Sequence, residues 1–377
     1  MVLMTRRRRL PALHLSPPTG WMNDPYGVHW DGDQYQLFCQ ALPGRTTWRP
    51  ECTWAWATSP DLVRWTWQGV VLEPGPFETG CWSGCVVPGH GAFYTRVAGA
   101  DLDRGVVALA RWDGARFRTT ESDVVLAAPP DVPAFRDPFV VVRDGTWSMV
   151  VGAGLDDGTG AVLHYRSDDL TNWVSDGVLA RIGDPGVRTV AECPQLVEVA
   201  GRWAVIVSVQ ADGATGPVMA RFLDGPDKSW APLATGAAAY ATTAFRDRDG
   251  LACAISWLRE AYEVTDGWAG CQSLPGVLGA DGDRITLGVH PALGPGRPVA
   301  PGQPWTAARF RVDPSVTTAF TLNGVRTTVD APADVVVDAD VVEHYATTGY
   351  RAWRTCPVYE APRLEWEGQA PQVHRLA

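Results

Sequence analysis

Three short acidic motifs stand far apart in the chain: WMNDPYG at 21–27, FRDPF at 135–139 and AECPQ at 191–195. Each sets one carboxylate, that of Asp24, Asp137 or Glu192, beside residues that force a turn or a close contact. The spacings are 113 and 55 residues, so the three can act together only if the fold returns them to one centre. Converging carboxylates are the equipment for breaking a glycosidic bond: one acid attacks the sugar and another protonates the leaving oxygen.

The local chemistry of each motif fits such a division of labour. Pro25 biases Asp24 towards extended backbone, and Gly27 relieves the turn that follows. A carboxylate presented that rigidly suits a nucleophile, because it loses little freedom on attack. Asn-Asp-Pro is also simply a good turn sequence. RDP at 136–138 repeats the device, with Asp137 held before Pro138 and Arg136 placed to pair with Asp137 or with a substrate hydroxyl. The plainer alternative is an ion pair in a surface turn, which contributes little. Glu192 lies between the apolar runs VA and QLVEV, and burial there would favour the protonated form that a general acid needs. Its plainer alternative is an exposed glutamate on an edge strand.

The elements that must position these acids are strands. Short runs rich in Val, Trp, Tyr and Phe alternate with Gly, Asp and Pro turns. QYQLFCQ (34–40), TWSMVVGA (146–153) and RWAVIVSVQ (202–210) each follow a small turn, DGD, RDG or VAG. No long amphipathic helix is expected. SPDLVRW at 59–65 recurs as SDDLTNW at 167–173, an offset of 108 residues, and the strands opening TWSMVV and RWAVIV are 56 apart. A period in the mid-fifties with several strands per unit reads as a β-propeller. Residues 10–295 then divide into about five blades, so the expected class is all-β, a five-bladed propeller. A Gly- and Pro-crowded stretch at 288–305 reads as a boundary loop. Beyond it, 303–377 alternates again as strands but is short for a β-sandwich. It is expected as a truncated, sandwich-like C-terminal domain leaning on the propeller.

Composition narrows the function. A net charge of -10 argues against nucleic acid as a partner. The basic run Arg6–Arg9 precedes an apolar stretch, Leu10 to Leu15, that Pro11 and His14 interrupt and that is too short for a signal h-region. No run is long enough to span a membrane. A cytoplasmic protein with reduced thiols is the expectation. The eight cysteines lack zinc-ligand spacing and the seven histidines show no HxH or HExxH pattern, so neither metal nor cofactor is expected. The 18 tryptophans suit sheet packing, and indoles also stack on sugar faces.

Taken together, and in order along residues 14–290, these motifs resemble glycoside hydrolase family 32, the invertase, inulinase and levanase group of β-fructofuranosidases. HLSPPTGWMNDPYG, QYQLFCQ, CTWAWATSPDLVRW, WSGC (82–85), RDP, GAGLDDGTGAVLHYRSDDLTNW, AECPQL, YATTAF (240–245), ISWL (255–258) and GCQSLP (270–275) carry the resemblance. It implies a five-bladed propeller followed by a β-sandwich. It also implies a retaining double displacement on a small fructoside such as sucrose. Asp24 would be the nucleophile, Glu192 the acid and base, and Asp137 the stabiliser of the oxocarbenium-like transition state. Asn23, Gln40, Trp48, Trp82, Ser83 and Arg136 would line the fructose pocket, with Tyr240 and Trp257 as further lining residues.

The chain departs from the family pattern at Tyr26, where Asn is usual, at Trp56, where His is common, and at Cys85, where Ser is common. Two of these add bulk, expected near the pocket mouth, which would bias the site towards a small fructoside over a long polymer. Two other activities stay open: fructosyl transfer to a sugar acceptor, and an arabinofuranosidase that inverts configuration. A non-catalytic sugar-binding propeller is the alternative from another class.

Overall fold

Turns set the strand pattern. Asp144–Gly145 and Ala200–Gly201 each place two residues in left-handed backbone, with φ of 51° and 79° and of 49° and 77°. That is the geometry of a two-residue hairpin, and the predicted strands Thr146–Gly154 and Arg202–Ala211 start directly after it. The repeated heptad is one physical object used twice. Asp61 Oδ1 accepts the N–H groups of Val63 and Arg64, and Asp169 Oδ1 those of Thr171 and Asn172. Leu62 and Leu170 both turn left-handed, at φ 66° and 65°. The indoles of Trp65 and Trp173 donate to the carbonyls of Leu62 and Leu170.

The architecture comes from a computed structural model that describes residues 9–376, apart from 225–227, 265–266, 301–302, 304 and 356–361. The basic run is therefore represented only by Arg9, and Cys356 lies outside the described residues. The fold is all-β; the one helical element among the described residues is the short 3-10 turn Pro291–Leu293. Five antiparallel sheets follow one another over 20–72, 80–126, 134–182, 189–235 and 239–289. The first strands of these sheets are Gly20–Trp30, Gly80–Val87, Ala134–Arg143, Thr189–Val199 and Ala239–Arg246. Each touches the next in order, and the fifth returns to the first. Trp268–Ala269 also pairs in parallel with Gly20–Trp21, so the fifth unit is hydrogen-bonded to the first strand of the first.

The apolar core lies between neighbouring sheets. Phe93, Val107, Phe135, Met149, Val151 and Tyr165 fill the gap from second to third, and Val150, Val162, Ala191, Leu196, Val205 and Val207 that from third to fourth. Burying alternate faces of paired sheets in this way is the main stabilising term.

Beyond 303 two further layers form. One contains Ala307–Val312, Ala333–Asp338, Val341–Ala346 and Gly349–Arg354, the other Thr317–Leu322, Val325–Thr328 and Leu364–Gly368. Phe310, Phe320, Val335, Trp353 and Trp366 pack together in their shared core. DVVVDADVVEHYA (334–346), whose alternation reads as one strand, is a hairpin that turns at Ala339 (φ 54°) and Asp340. Gly349–Arg354 pairs in parallel with Ala231–Thr235 of the fourth sheet, so one continuous ten-stranded sheet joins the two parts of the chain.

A buried charge network clamps the start of the chain to this later sheet. His14 Nδ1 lies 2.9 Å from Asp338 and its Nε2 2.7 Å from Glu343, and neither pair reaches solvent. Asp338 also accepts the N–H groups of Ala12, Leu13 and His14. Glu343 accepts the Leu274 N–H and the hydroxyls of Tyr345 and Tyr350. Burial alone would lower the His14 pKa, but the hydrogen bonds and charges of the two carboxylates overcome it and raise it to about 9. The folded state thus binds this proton more tightly than the unfolded chain. The contribution is complete below pH 6.5 and is lost as pH rises through 9, an effect of the order of 2–3 kcal/mol. Thermal unfolding should show the melting temperature falling from pH 7 to 9.5 in the wild type. His14→Gln should melt lower at pH 7 and show a flatter profile over the same range.

Candidate active site

The register of every first strand slips at the same level. The irregularities fall between Met22 and Pro25, Trp82 and Gly84, Arg136 and Phe139, Glu192 and Gln195, and Tyr240 and Thr243. A bulge inserts an extra residue and re-aims the side chains around it. The residues so placed include Asn23, Asp24, Ser83, Asp137 and Cys193, and they meet. Asp137, Cys193 and Ala241 all adopt left-handed backbone, at φ 64°, 47° and 47°. The extended conformation expected of Asp137 before Pro138 is therefore corrected: the bulge overrides the proline bias. It is held there by its own N–H donating to Thr95 Oγ1 at 2.6 Å.

One hydrogen-bond chain fixes Asp24. The Asn23 amide donates to Asp24 Oδ1 at 2.9 Å and to Gln40 Oε1 at 2.8 Å. The Gln40 amide donates to Ser83 Oγ at 2.9 Å, and Ser83 donates to Asp24 Oδ2 at 2.6 Å. Trp21 Nε1 donates to Asn23 Oδ1 at 3.0 Å, and the Gln272 amide to the Asn23 carbonyl at 2.6 Å. Burial pushes the Asp24 pKa up, the Ser83 and Asn23 hydrogen bonds pull it back, and the charge of Glu192 adds to the rise.

A second set fixes Glu192. Arg136, 4% exposed, reaches Glu192 Oε1 through Nε at 3.0 Å and Nη2 at 2.9 Å. Gln210 donates to the same oxygen at 3.3 Å, and the Tyr240 hydroxyl donates to Oε2. The apolar surroundings expected for Glu192 are thus corrected, since its side chain is 14% exposed and meets donors on both oxygens. Arg136 likewise pairs with Glu192, and at 3.4 Å with Asp103, and not as an exposed turn contact.

Asp137 sits between the two sets. Its Oδ2 accepts the Cys193 N–H at 2.9 Å, and the Cys193 thiol lies 3.6 Å from it and 3.7 Å from Asp24 Oδ2. Burial, then the negative charge of Glu192, raises the Asp137 pKa to about 7 against the pull of Arg136. Three carboxylates and one guanidinium therefore share a largely buried centre.

The remaining expected residues form its walls. Trp257 is buried with its ring 5.5 Å from Trp21 and 6.5 Å from Tyr240. Trp82 stands edge-on to Trp48 at 5.6 Å, with its indole N–H on the Pro50 carbonyl. Trp48 is the outlying member, 42% exposed and reaching the others through Trp82. Cys193, Gln210, Thr95 and Trp21 went unassigned from sequence. Cys193 and Trp21 lie inside quoted motifs and Gln210 closes the quoted run RWAVIVSVQ, but Gln210 and Thr95 join the site only through strand register.

Tyr26 and Trp56 do not stand at this mouth, which corrects the expectation for both. Tyr26 is buried between the first and second sheets with its ring 4.0 Å from Trp54. Trp56 lines a separate cleft of about 840 Å³ with Phe38, Gln36 and Trp112. Cys85 is buried, and its sulfur accepts the Val140 N–H at 3.2 Å. A different cluster, Asp247, Cys253 and His290, brings three buried ligand-type atoms within 4.8 Å. His290 Nδ1 accepts the Ala292 N–H, which leaves the proton on Nε2, facing Asp247 at 3.1 Å. That proton occupies the nitrogen a metal would need.

The model of the glycosyl hydrolases family 32 N-terminal domain matches residues 14–291. The chain belongs to glycosyl hydrolase family 32. Among family 32 relatives, a sucrose-6-phosphate hydrolase of Escherichia coli is 34% identical over 315 residues, 75% of this chain and 65% of that protein. A raffinose invertase of Escherichia coli is 30% identical over 295 residues, 70% of this chain and 61% of its own length. The chain thus spans just under two thirds of the curated relatives it matches. The structure of a family 32 β-fructofuranosidase from Bombyx mori superposes with a TM-score of 0.83 at 25% identity, covering 97% of this chain and 93% of that one. Among the described residues, no helix is long and apolar enough to cross a membrane.

The pH dependence of this family 32 centre follows from its hydrogen bonds. Removing the Ser83 donor should raise the Asp24 pKa further, because that bond stabilises the charged form. Ser83→Ala should therefore shift the acid limb of the kcat/KM profile to higher pH, by roughly one unit. An unmoved acid limb would show that Asp24 ionisation does not govern it.

Proposed function

We propose that the chain is a retaining β-fructofuranosidase acting on sucrose or a related small fructoside, including a phosphorylated one. The observation that carries this reading is the meeting of Asp24, Asp137 and Glu192 at five aligned bulges, each acid held by its own donors. We read the five sheets as the blades of a five-bladed propeller over 10–295, and the layers over 303–377 as a shortened β-sandwich. The cyclic contacts of the first strands and the shared Phe310–Phe320–Trp366 core support that division.

In this reading an Asp24 oxygen attacks the anomeric C2 of the fructosyl unit. As the C2–O bond to the leaving group breaks, Glu192 gives its proton to that oxygen. Water then attacks C2, Glu192 takes the proton, and the ester to Asp24 breaks. Tyr240 and Arg136 keep Glu192 aimed at the bond. Asp137, with its pKa raised to about 7, would hold ring hydroxyls and stabilise the developing positive charge. Asn23, Gln40 and Ser83 would supply the polar lining, and Trp48, Trp82 and Trp257 the apolar walls. Hydroxyl-matched recognition of this density discriminates strongly, because an analogue leaves buried groups unpaired.

Two names among the relatives favour small substrates: a sucrose-6-phosphate hydrolase and a raffinose invertase. We place the reaction in the cytoplasm; the seven described cysteines are all unbridged thiols, which suits a reducing compartment. The test is fructose release from sucrose and short fructans, with the configuration of the first product read by NMR. Retention is expected, with faster turnover of sucrose than of inulin or levan. Asp24→Asn and Glu192→Gln should each lose roughly 10²–10⁴ in kcat. Inversion would favour an arabinofuranosidase-like mechanism, and sugar binding with no turnover in any form would favour a lectin.

A further inference from the structure

The wall beside Tyr240 carries a positive charge that the described chain does not neutralise. Arg259 follows the strand Ala252–Leu258 and is half-buried. Its guanidinium carbon lies 5.1 Å from the centre of the Tyr240 ring, whose hydroxyl donates to Glu192. Its backbone N–H and its Nε both donate to the Ala238 carbonyl, at 2.9 and 3.4 Å, which fixes the root of the side chain. Among the described residues no carboxylate pairs with it.

Two neighbouring acids are engaged elsewhere. Glu260, next in the chain, turns to Arg354 at 3.4 Å and accepts the Gly270 N–H at 2.8 Å. Glu192, across Tyr240, is held by Arg136, Gln210 and Tyr240. Burial lowers the Arg259 pKa, and its interaction with Tyr240 offsets this only in part. A half-buried guanidinium that meets no carboxylate among the described residues is disfavoured by its burial, and an anion arriving with a ligand would offset that.

We propose that Arg259, braced on the face of Tyr240, forms an anion subsite on the leaving-group side of the centre, suited to a phosphate carried by the departing sugar. This rests on the fructosidase reading above. The side follows from the geometry: Tyr240 holds the acid that protonates the leaving oxygen, whereas Asn23, Gln40 and Ser83 surround Asp24. A guanidinium matches phosphate because two parallel N–H groups can meet two of its oxygens.

The experiment compares kcat/KM for sucrose 6-phosphate and for sucrose in the wild type, Arg259→Gln and Arg259→Lys. The wild type should prefer the phosphorylated sugar. In Arg259→Gln the ratio of the two kcat/KM values should fall by roughly tenfold or more, through KM. Arg259→Lys should keep part of the preference, which a purely structural role would not predict. A wild type that cleaves sucrose without preferring its phosphate overturns the subsite, as does an Arg259→Gln that weakens both reactions in step. A folded wild type that cleaves neither sugar fails the fructosidase reading itself.

Discussion

The centre depends on one backbone constraint, a register slip at the same level of five adjacent strands. A regular strand sends alternate side chains to opposite faces, so a carboxylate and its neighbours could not all converge. The bulges allow it. They also carry a cost, because left-handed backbone at Asp137, Cys193 and Ala241 is unfavourable by about 1–3 kcal/mol each. At Asp137 and Cys193 hydrogen bonds help to offset it: the Asp137 N–H on Thr95 and the Cys193 N–H on Asp137.

Electrostatics follow from that geometry. Burial of carboxylates beside one another, with the charge of Glu192 adding to it, disfavours ionisation, which is why Asp24 and Asp137 rise. Arg136 is the balancing charge, and it sits against Glu192. On the proposed reading this asymmetry divides the labour. Asp24 is stabilised by neutral donors, Glu192 by a cation and a phenol, and Asp137 by a backbone N–H. Such distinct surroundings let acids of one type take different roles.

Much of this was legible in the chain. Hairpin turns at 144–145 and 200–201 are written as Asp-Gly and Ala-Gly, and the heptad repeat announced a recurring turn that the Asp61 and Asp169 hydrogen bonds realise. The three acids were legible because each sits in a motif with strong local chemistry. What escaped depends on contacts across strands. Gln210 and Thr95 reach the centre only through pairing register, and the donors around Glu192 come from three different sheets. Tyr26 was misplaced because a residue two positions from Asp24 faces the inter-sheet core once the strand bulges. The turn inside DVVVDADVVEHYA was hidden because no Gly or Pro marks it, with Ala339 and Asp340 taking the role Gly usually plays.

The central claim is that Asp24 becomes covalently bonded to the sugar while Glu192 serves its departure and the entry of water. Rapid acid quenching of Glu192→Gln during turnover of an activated fructoside, followed by peptide mass spectrometry, tests it directly. The account predicts a fructosyl ester on the peptide containing Asp24, absent in Asp24→Asn. An ester on a peptide bearing another carboxylate, or turnover with no ester at any time point, would contradict it.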